Sequence, residues 1–145
     1  MEQKSKVFCY SNANLTRAEQ SGGVLRFIEF WFDLMGQRPQ WLYFDSKLTS
    51  YNELSQINQM KDVSFATIRR RGSSIPQRIS KVPEDQWKGT VINIPKRKYQ
   101  NIRYLDERIK LYGHDGDIRQ IVVTCLGRER PTLFLTNNFE SHLAT

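Results

Sequence analysis

Asp45 is the residue whose type and position point most directly to chemistry. It follows the apolar run WLYF at 41–44 without a spacer. An uninterrupted apolar run predicts a strand covered on both faces, in the parallel part of an α/β sheet. An acid at the carboxyl end of such a strand lies where α/β proteins bind ligands, and its oxygens suit a divalent cation. The alternative is that Asp45 caps the next turn, together with Ser46.

Two short runs of basic residues indicate an anionic partner. One closes a predicted strand and opens into a Gly-Ser loop, and the other lies in the second half of the chain. Guanidinium groups bind phosphate oxygens in pairs, and lysines add point charges. The alternative is that both runs form only the solvated face of their strands. The predicted DNA contacts are Arg69, Arg70, Arg71, Lys96, Arg97 and Lys98.

The overall charge agrees with an anionic partner. The 145 residues include 22 Lys and Arg against 15 Asp and Glu, a formal charge of +7. This balance favours nucleic acid over a membrane surface. We expect no membrane span, because no apolar stretch approaches about 18 residues, and no secretory signal behind MEQKSK. The widely separated Cys9 and Cys125 predict buried thiols of a cytoplasmic protein.

Other chemistry finds no support in the sequence. His114 and His142 lie far apart, without Cys or carboxylates at metal-ligand spacing. Asp115 and Asp117 lack the pattern of a calcium loop and fit a hairpin turn instead. Cys9 has no identifiable base partner, and no nucleophile elbow or Gly-rich phosphate loop is present.

The first half of the chain predicts strands alternating with helices. Capping-box spacing at Thr16 and Glu19, and again at Ser50 and Glu53, predicts two helix starts, and Gly36 predicts a helix end. Aromatic residues at 27, 30, 31 and 32 recur at helical spacing, which indicates core rather than a stacking platform for bases. The predicted elements are a strand at 7–10, a helix at 24–35, a strand at 41–44, a short helix after 50 and a strand at 63–68.

The second half predicts mainly antiparallel strands. Gly and Ser residues from 72 onward mark a loop, with a short helix before Pro83. The segment 112–117 has the composition of a hairpin turn. The predicted strands are 91–94, 102–111, 118–126 and 133–136.

A resemblance to a known family rests on a colinear series of segments. The segment WLYFDSKLTSYNELSQINQMKDVSFATIRRRGSSI resembles the region around the second catalytic aspartate of bacterial insertion-sequence transposases of the DDE class. The similar group carries a β-rich insertion before its third acid. The resemblance extends upstream through YSNANLTRAEQ and VLRFIEFW, and downstream through IRYLDERIKLYGHDGDIRQIVVT and LGRERPTLFLTNN. FDSKLT and TIRRRG are its most specific parts.

The resemblance implies an α/β fold. In it, a partial ribonuclease-H-like mixed sheet with helical crossovers is followed by a mainly antiparallel β insertion. Residues 1–71 would form the partial catalytic core and residues 72–131 the insertion. Residues 132–145 would return towards the core and end before it is complete.

The resemblance also implies an activity. The family cleaves and joins transposon-end DNA by two-metal phosphoryl transfer, with three acids holding two Mg²⁺ ions. Only Asp45 carries over, as catalytic residue and metal ligand; the family's first aspartate would precede Val7 and its glutamate would follow Asn138. We therefore expect a transposase fragment, truncated at both ends, that binds Mg²⁺ weakly or not at all and is inactive alone.

The implied partner is double-stranded transposon-end DNA in the bacterial cytoplasm, with self-association on that DNA and no membrane partner. By analogy, the arginines at 69–71 are the basic strand end that lies along the DNA. Two alternatives remain open at this point. One is a non-catalytic basic DNA-binding module, and the other is the unfolded product of a decayed gene.

Overall fold

A computed structural model of the chain describes residues 10–11, 13–70, 72, 74–92, 96, 101–125 and 130–140. Within these residues the protein is mixed α/β, with three α-helices and one six-stranded sheet. None of the helices in this part of the chain is both long and apolar enough to cross a bilayer. The α-helices are α1 (Gly23–Met35), α2 (Tyr51–Gln59) and α3 (Ser74–Ser80). The strands are β1 (Trp41–Phe44), β2 (Ser64–Arg69), β3 (Lys88–Val91), β4 (Asn101–Lys110), β5 (Asp117–Thr124) and β6 (Thr132–Thr136).

The sheet is mixed, and its strand order is β1-β2-β6-β5-β4-β3. β1 and β2 are parallel and are connected through α2, as the alternation of elements predicts. All other neighbouring strands are antiparallel. It follows that β1, β2, β3 and β5 run in one direction, while β4 and β6 run in the other. The predicted α/β class with a mixed sheet is confirmed at this level, and strands from both halves of the chain share the one sheet.

The helices cover one face of the sheet and form two apolar clusters on it. α1 and α2 pack against one half of this face, and α3 packs against the other half. The sheet residues beneath α1 and α2 include Phe65, Ile118 and Leu135. Those beneath α3 are Leu105, Val122 and Leu133. Because side chains alternate along a strand, the intervening row carries Gln120 and Glu107 between the two clusters.

The opposite face of β1 is open in the described part of the chain. Trp41 and Tyr43 are 40% and 77% exposed, and their rings stack at 5.9 Å. The prediction that the strand at 41–44 is covered on both faces is therefore wrong. β1 is an edge strand of the described sheet, and α1 and α2 cover only the face that bears Leu42 and Phe44.

Most local signals in the sequence correspond to the observed elements. α1 ends at Gly36, which adopts the left-handed conformation with φ 71°. The turn at 112–117 joins β4 to β5, with Lys110 opposite Asp117. The strand predicted at 91–94 is instead found at Lys88–Val91, and its positions 93–94 lie outside the described residues. Of the strand predicted at 7–10, only Tyr10 is described, and it is not in a strand.

Two burial predictions are wrong. The buried residues of α1 are Val24 and Ile28, whereas the aromatic residues at 27, 30 and 31 are half-buried and Phe32 is 46% exposed. The rings at 27 and 30 pack against Tyr10, with ring centres 5.8 and 5.0 Å apart. Cys125 is an exposed free thiol, because β5 ends at Thr124 and the next residue turns away with φ 67°. Cys9 lies outside the described residues.

The capping box of α2 gives a first testable prediction. The Ser50 hydroxyl accepts the Glu53 N–H at 3.3 Å, and the Glu53 carboxylate accepts the Ser50 N–H at 2.6 Å. Ser50→Ala is expected to lower the free energy of unfolding by about 1 kcal/mol, measured by urea denaturation. Ser80→Ala is the control, because that hydroxyl donates only to the Gln77 carbonyl at the end of α3. A cost no larger than that of the control would contradict the capping role.

Candidate nucleic-acid interface

The carboxyl ends of β1 and β2 lie side by side, because the two strands are parallel and Phe44 is opposite Thr67. Asp45 directly follows β1, and Arg69 closes β2. A groove of about 260 Å³ lies at this end of the sheet, and Ser46, Arg69 and Arg70 contribute to its lining. Asp45, Arg69 and Arg70 therefore lie at the same end of the sheet.

Two further cations belong to the same end of the sheet. β3 runs parallel to β1 and β2, so Val91 and Asn101 lie at this end. Lys96, which comes between them in the sequence, is exposed. Arg130, two residues before β6, is also exposed, and β6 begins at this end. From β2 to β3 there are four strand spacings of about 4.8 Å, or roughly 19 Å.

We call this region the basic end of the sheet. Its exposed cations are Arg17, Lys47, Arg70, Lys96 and Arg130. Within the described ranges none of these five takes part in an ion pair. The other end of the sheet carries both signs of charge. Its exposed or half-buried charged residues include Asp62, Asp115, Glu140, Arg38, Lys61 and Lys110, and Arg38 pairs with Asp62 at 3.2 Å. Charge is therefore distributed unevenly between the two ends.

The carboxylates near the basic end are engaged locally. Glu19 accepts the backbone N–H of Thr16 at 3.0 Å and its hydroxyl at 2.6 Å. These two hydrogen bonds hold the pKa of Glu19 below its ordinary value, so it stays ionised and bound at neutral pH. Glu53 belongs to the capping box of α2. Neither carboxylate forms an ion pair with a cation of the basic end among the residues the structure describes.

Asp45 caps the 3₁₀ helix at Ser46–Leu48. Its Oδ1 atom accepts the backbone N–H of Lys47 at 2.8 Å, and the residue is exposed. The capping role that the sequence left as an alternative is therefore present. In the described part of the chain, no group of three His, Cys, Asp or Glu residues is placed to hold a metal ion. The described donor set thus does not fit the two-metal site that the resemblance implies.

Arg69 and Arg70 have different surroundings. The Nη1 atom of Arg69 donates to Oε1 of Gln120 at 2.7 Å, and its Nε is buried without a partner among the described residues. Gln120 in turn donates to Glu107 at 2.7 Å, and Glu107 also accepts from Arg78 at 2.6 Å. Arg69 is thus tied into a polar network under the helices. Arg70, the residue after β2, is exposed and belongs to none of these hydrogen bonds.

The polar network lowers the pKa of its carboxylic acid, Glu107. Burial alone would raise the pKa of Glu107, but hydrogen bonds from Arg78 and Gln120 and the charges of Arg78 and Arg69 outweigh burial. The pKa of Glu107 is therefore below its ordinary value. The same pairing raises the pKa of Arg78, which stays protonated in any case. At neutral pH the network contains a carboxylate and two guanidinium groups.

The structure brings together some of the predicted site residues. Asp45, Arg69 and Arg70 lie at adjacent strand ends, and Lys96 lies across the same end of the sheet. Three predicted contacts, Arg71, Arg97 and Lys98, lie outside the described residues. Sequence reasoning missed Arg17, Lys47 and Arg130. Of these, only Lys47 had a signal, since it lies two residues after Asp45 in the same turn.

The fold and the charge distribution together define a mixed α/β protein with a cationic end suited to a polyanion. No protein-family model, curated protein or solved structure matches this chain.

Proposed function

We propose that the chain is a part of the catalytic domain of a bacterial DDE-class transposase and that its own activity is to bind duplex DNA. In this proposal β1, α2 and β2 belong to a ribonuclease-H-like core, and the protein acts in the cytoplasm on transposon ends. The observation that carries the proposal is an acid following one parallel strand next to the arginines that close the neighbouring strand. This juxtaposition is the one that the family resemblance requires.

The geometry of the basic end supports duplex binding. Phosphates follow one another at about 3.4 Å of helix axis along one DNA strand, so an edge of roughly 19 Å spans about five to six such steps. Five exposed cations are distributed over that end and its neighbouring 3₁₀ helix. A protein that contacts five duplex phosphates has a slope of log K against log salt of about −4.5.

A non-catalytic DNA-binding module is the second candidate. It is favoured by the engagement of Asp45 as a cap and by the absence of a metal-binding group from the described part of the chain. Both candidates predict DNA binding. They differ in whether Asp45 has a role in cutting DNA.

One experiment addresses both candidates. We expect the wild-type protein to bind duplex DNA with a steep salt dependence, and Asp45→Asn to bind within twofold of it, measured by fluorescence anisotropy. With Mg²⁺ or Mn²⁺ we expect no strand cleavage by either protein, because one carboxylate cannot hold two divalent cations at about 3.5–4 Å. Cleavage is assayed on the same labelled transposon-end duplex.

Each possible result contradicts or supports one of the hypotheses. If the wild-type protein does not bind duplex DNA even at low salt, the proposed function fails. Cleavage that Asp45→Asn abolishes would exclude the non-catalytic module and would require acids outside the described residues. A thermal melt without a cooperative transition would instead support the product of a decayed gene.

A further inference from the structure

Three elements that are distant in sequence each place one cation around a single cavity. Arg17 comes from the 3₁₀ helix at Arg17–Gly22, Lys47 from the turn after β1, and Arg70 from the residue after β2. The cavity has a volume of about 500 Å³, and the other residues that line it are Ala18, Gln20 and Ser21. We call it the cation cavity.

No ion pair involves the three cations of the cation cavity within the described structure. No carboxylate side chain of a described residue contributes to its lining. The nearest acids in sequence accept hydrogen bonds from neutral groups: Glu19 from Thr16, and Asp45 from the backbone N–H of Lys47. Three positive charges around one cavity repel each other, and a bound anion would relieve this repulsion.

We propose that the cation cavity is a phosphate-binding site. Two guanidinium groups bind phosphate oxygens in pairs, and the ammonium group of Lys47 adds a point charge. The amide of Gln20 and the hydroxyl of Ser21 supply neutral donors on the same lining. Assigning the phosphate to a DNA backbone rests on the proposed function. Free inorganic phosphate has the same chemistry, and the test distinguishes the two sources.

The site is positioned to anchor DNA beside the strand ends. Arg70 lines both the cation cavity and the groove between the ends of β1 and β2. A phosphate held in the cavity therefore lies next to that groove, on the same end of the sheet as Asp45. This placement makes the cavity a contact that fixes the position of the DNA backbone, since phosphate contacts set position rather than sequence preference.

The first arm of the test uses duplex DNA. Arg17→Ala, Lys47→Ala and Arg70→Ala are compared with Lys88→Ala, which removes one exposed charge from β3 at the far edge of the sheet. Each cavity variant is expected to bind about tenfold more weakly at moderate salt. Each is also expected to reduce the salt slope by about 0.9, whereas Lys88→Ala keeps the wild-type slope. A thermal melt of each variant verifies folding. Arg17→Lys keeps the positive charge and tests whether that charge is what strengthens DNA binding.

The second arm uses inorganic phosphate at constant ionic strength and follows the backbone amide signals of Ser21 and Lys47 by NMR. We expect these signals to shift in the wild-type protein and not in the cavity variants. If the cavity variants bind duplex DNA as tightly as Lys88→Ala does, the inference is overturned while the proposed function stands. If phosphate shifts the signals but the wild-type protein binds no DNA, the cavity is confirmed as an anion site and the proposed function fails.

Discussion

Asp106→Ala is expected to lower the free energy of unfolding by about 3 kcal/mol, because it removes the carboxylate that pairs with a buried arginine. The side chain of Arg119 is only 8% exposed. Its Nε and Nη2 atoms donate to the two carboxylate oxygens of Asp106 at 2.9 and 2.6 Å. Without Asp106 the guanidinium keeps its charge in a poorly solvated place, and this cost exceeds the net contribution of the pair itself.

The same pair ties three strands together. Asp106 lies on β4 and Arg119 on β5, and Nη1 of Arg119 donates at 3.1 Å to the carbonyl of Asn138, which follows β6. Arg108 is directly opposite Arg119 on the neighbouring strand and stacks on Phe139, with 4.3 Å from the guanidinium carbon to the ring centre. Loss of Asp106 would leave two arginines directly opposite each other without the carboxylate that pairs with Arg119, which adds to the destabilisation.

The measurement is urea denaturation of Asp106→Ala alongside Asp62→Ala. The control removes the carboxylate of an exposed pair, since the side chains of Arg38 and Asp62 are 38% and 52% exposed. Pairs of that kind contribute about 0–1 kcal/mol. Equal losses in the two variants would show that the burial of Arg119 does not set the energy of its pair.

Much of the fold could be predicted because its signals are local. A capping box, a Gly at a helix end and a hairpin turn each depend on residues within a few positions of one another. The end of α1, the start of α2 and the turn between β4 and β5 follow from such signals. Strand order does not, because β6 lies between β2 and β5 through pairings that are distant in the sequence.

The burial of β1 also depends on residues that are distant in the sequence. The run WLYF has no polar residue to mark a solvent-facing side, so it indicates a strand covered on both faces. Its position at the edge of the described sheet, with helices over one face, depends on elements elsewhere in the chain. Composition within four residues carries no information on that position.

Some residues of the candidate site could be placed from local sequence signals, and others could not. Asp45 and Arg70 could be placed together because both follow parallel strands joined by a crossover helix, which puts their ends at one edge. Arg17 could not be placed, since a single cation in a polar segment has no motif. The sequence also could not show that Arg69 is tied into the polar network while Arg70 is exposed. The partner of Arg69 is Gln120, on a strand 51 residues away in the sequence.

Gln120→Ala is expected to cost about 3 kcal/mol as well, because this fully buried side chain connects the two charged parts of the polar network. Its Oε1 accepts from Arg69 and its Nε2 donates to Glu107, each at 2.7 Å. Alanine leaves both partners without these hydrogen bonds and leaves a cavity between the two apolar clusters. Gln59→Ala, at an exposed position of α2, serves as the control and is expected to change stability by less than about 0.5 kcal/mol.

The pH dependence of that cost separates the hydrogen bond to Glu107 from simple loss of packing. The pKa of Glu107 is below its ordinary value, and the Gln120 amide is one of the groups that lower it. Stabilisation of the charged form is complete above the ordinary carboxyl pKa of about 4.3 and is lost as the pH falls through the lowered value. The difference in unfolding free energy between wild type and Gln120→Ala is therefore expected to be constant near neutral pH and to shrink below pH 4. A difference that stays constant down to pH 3 would assign the whole cost to the cavity and to Arg69.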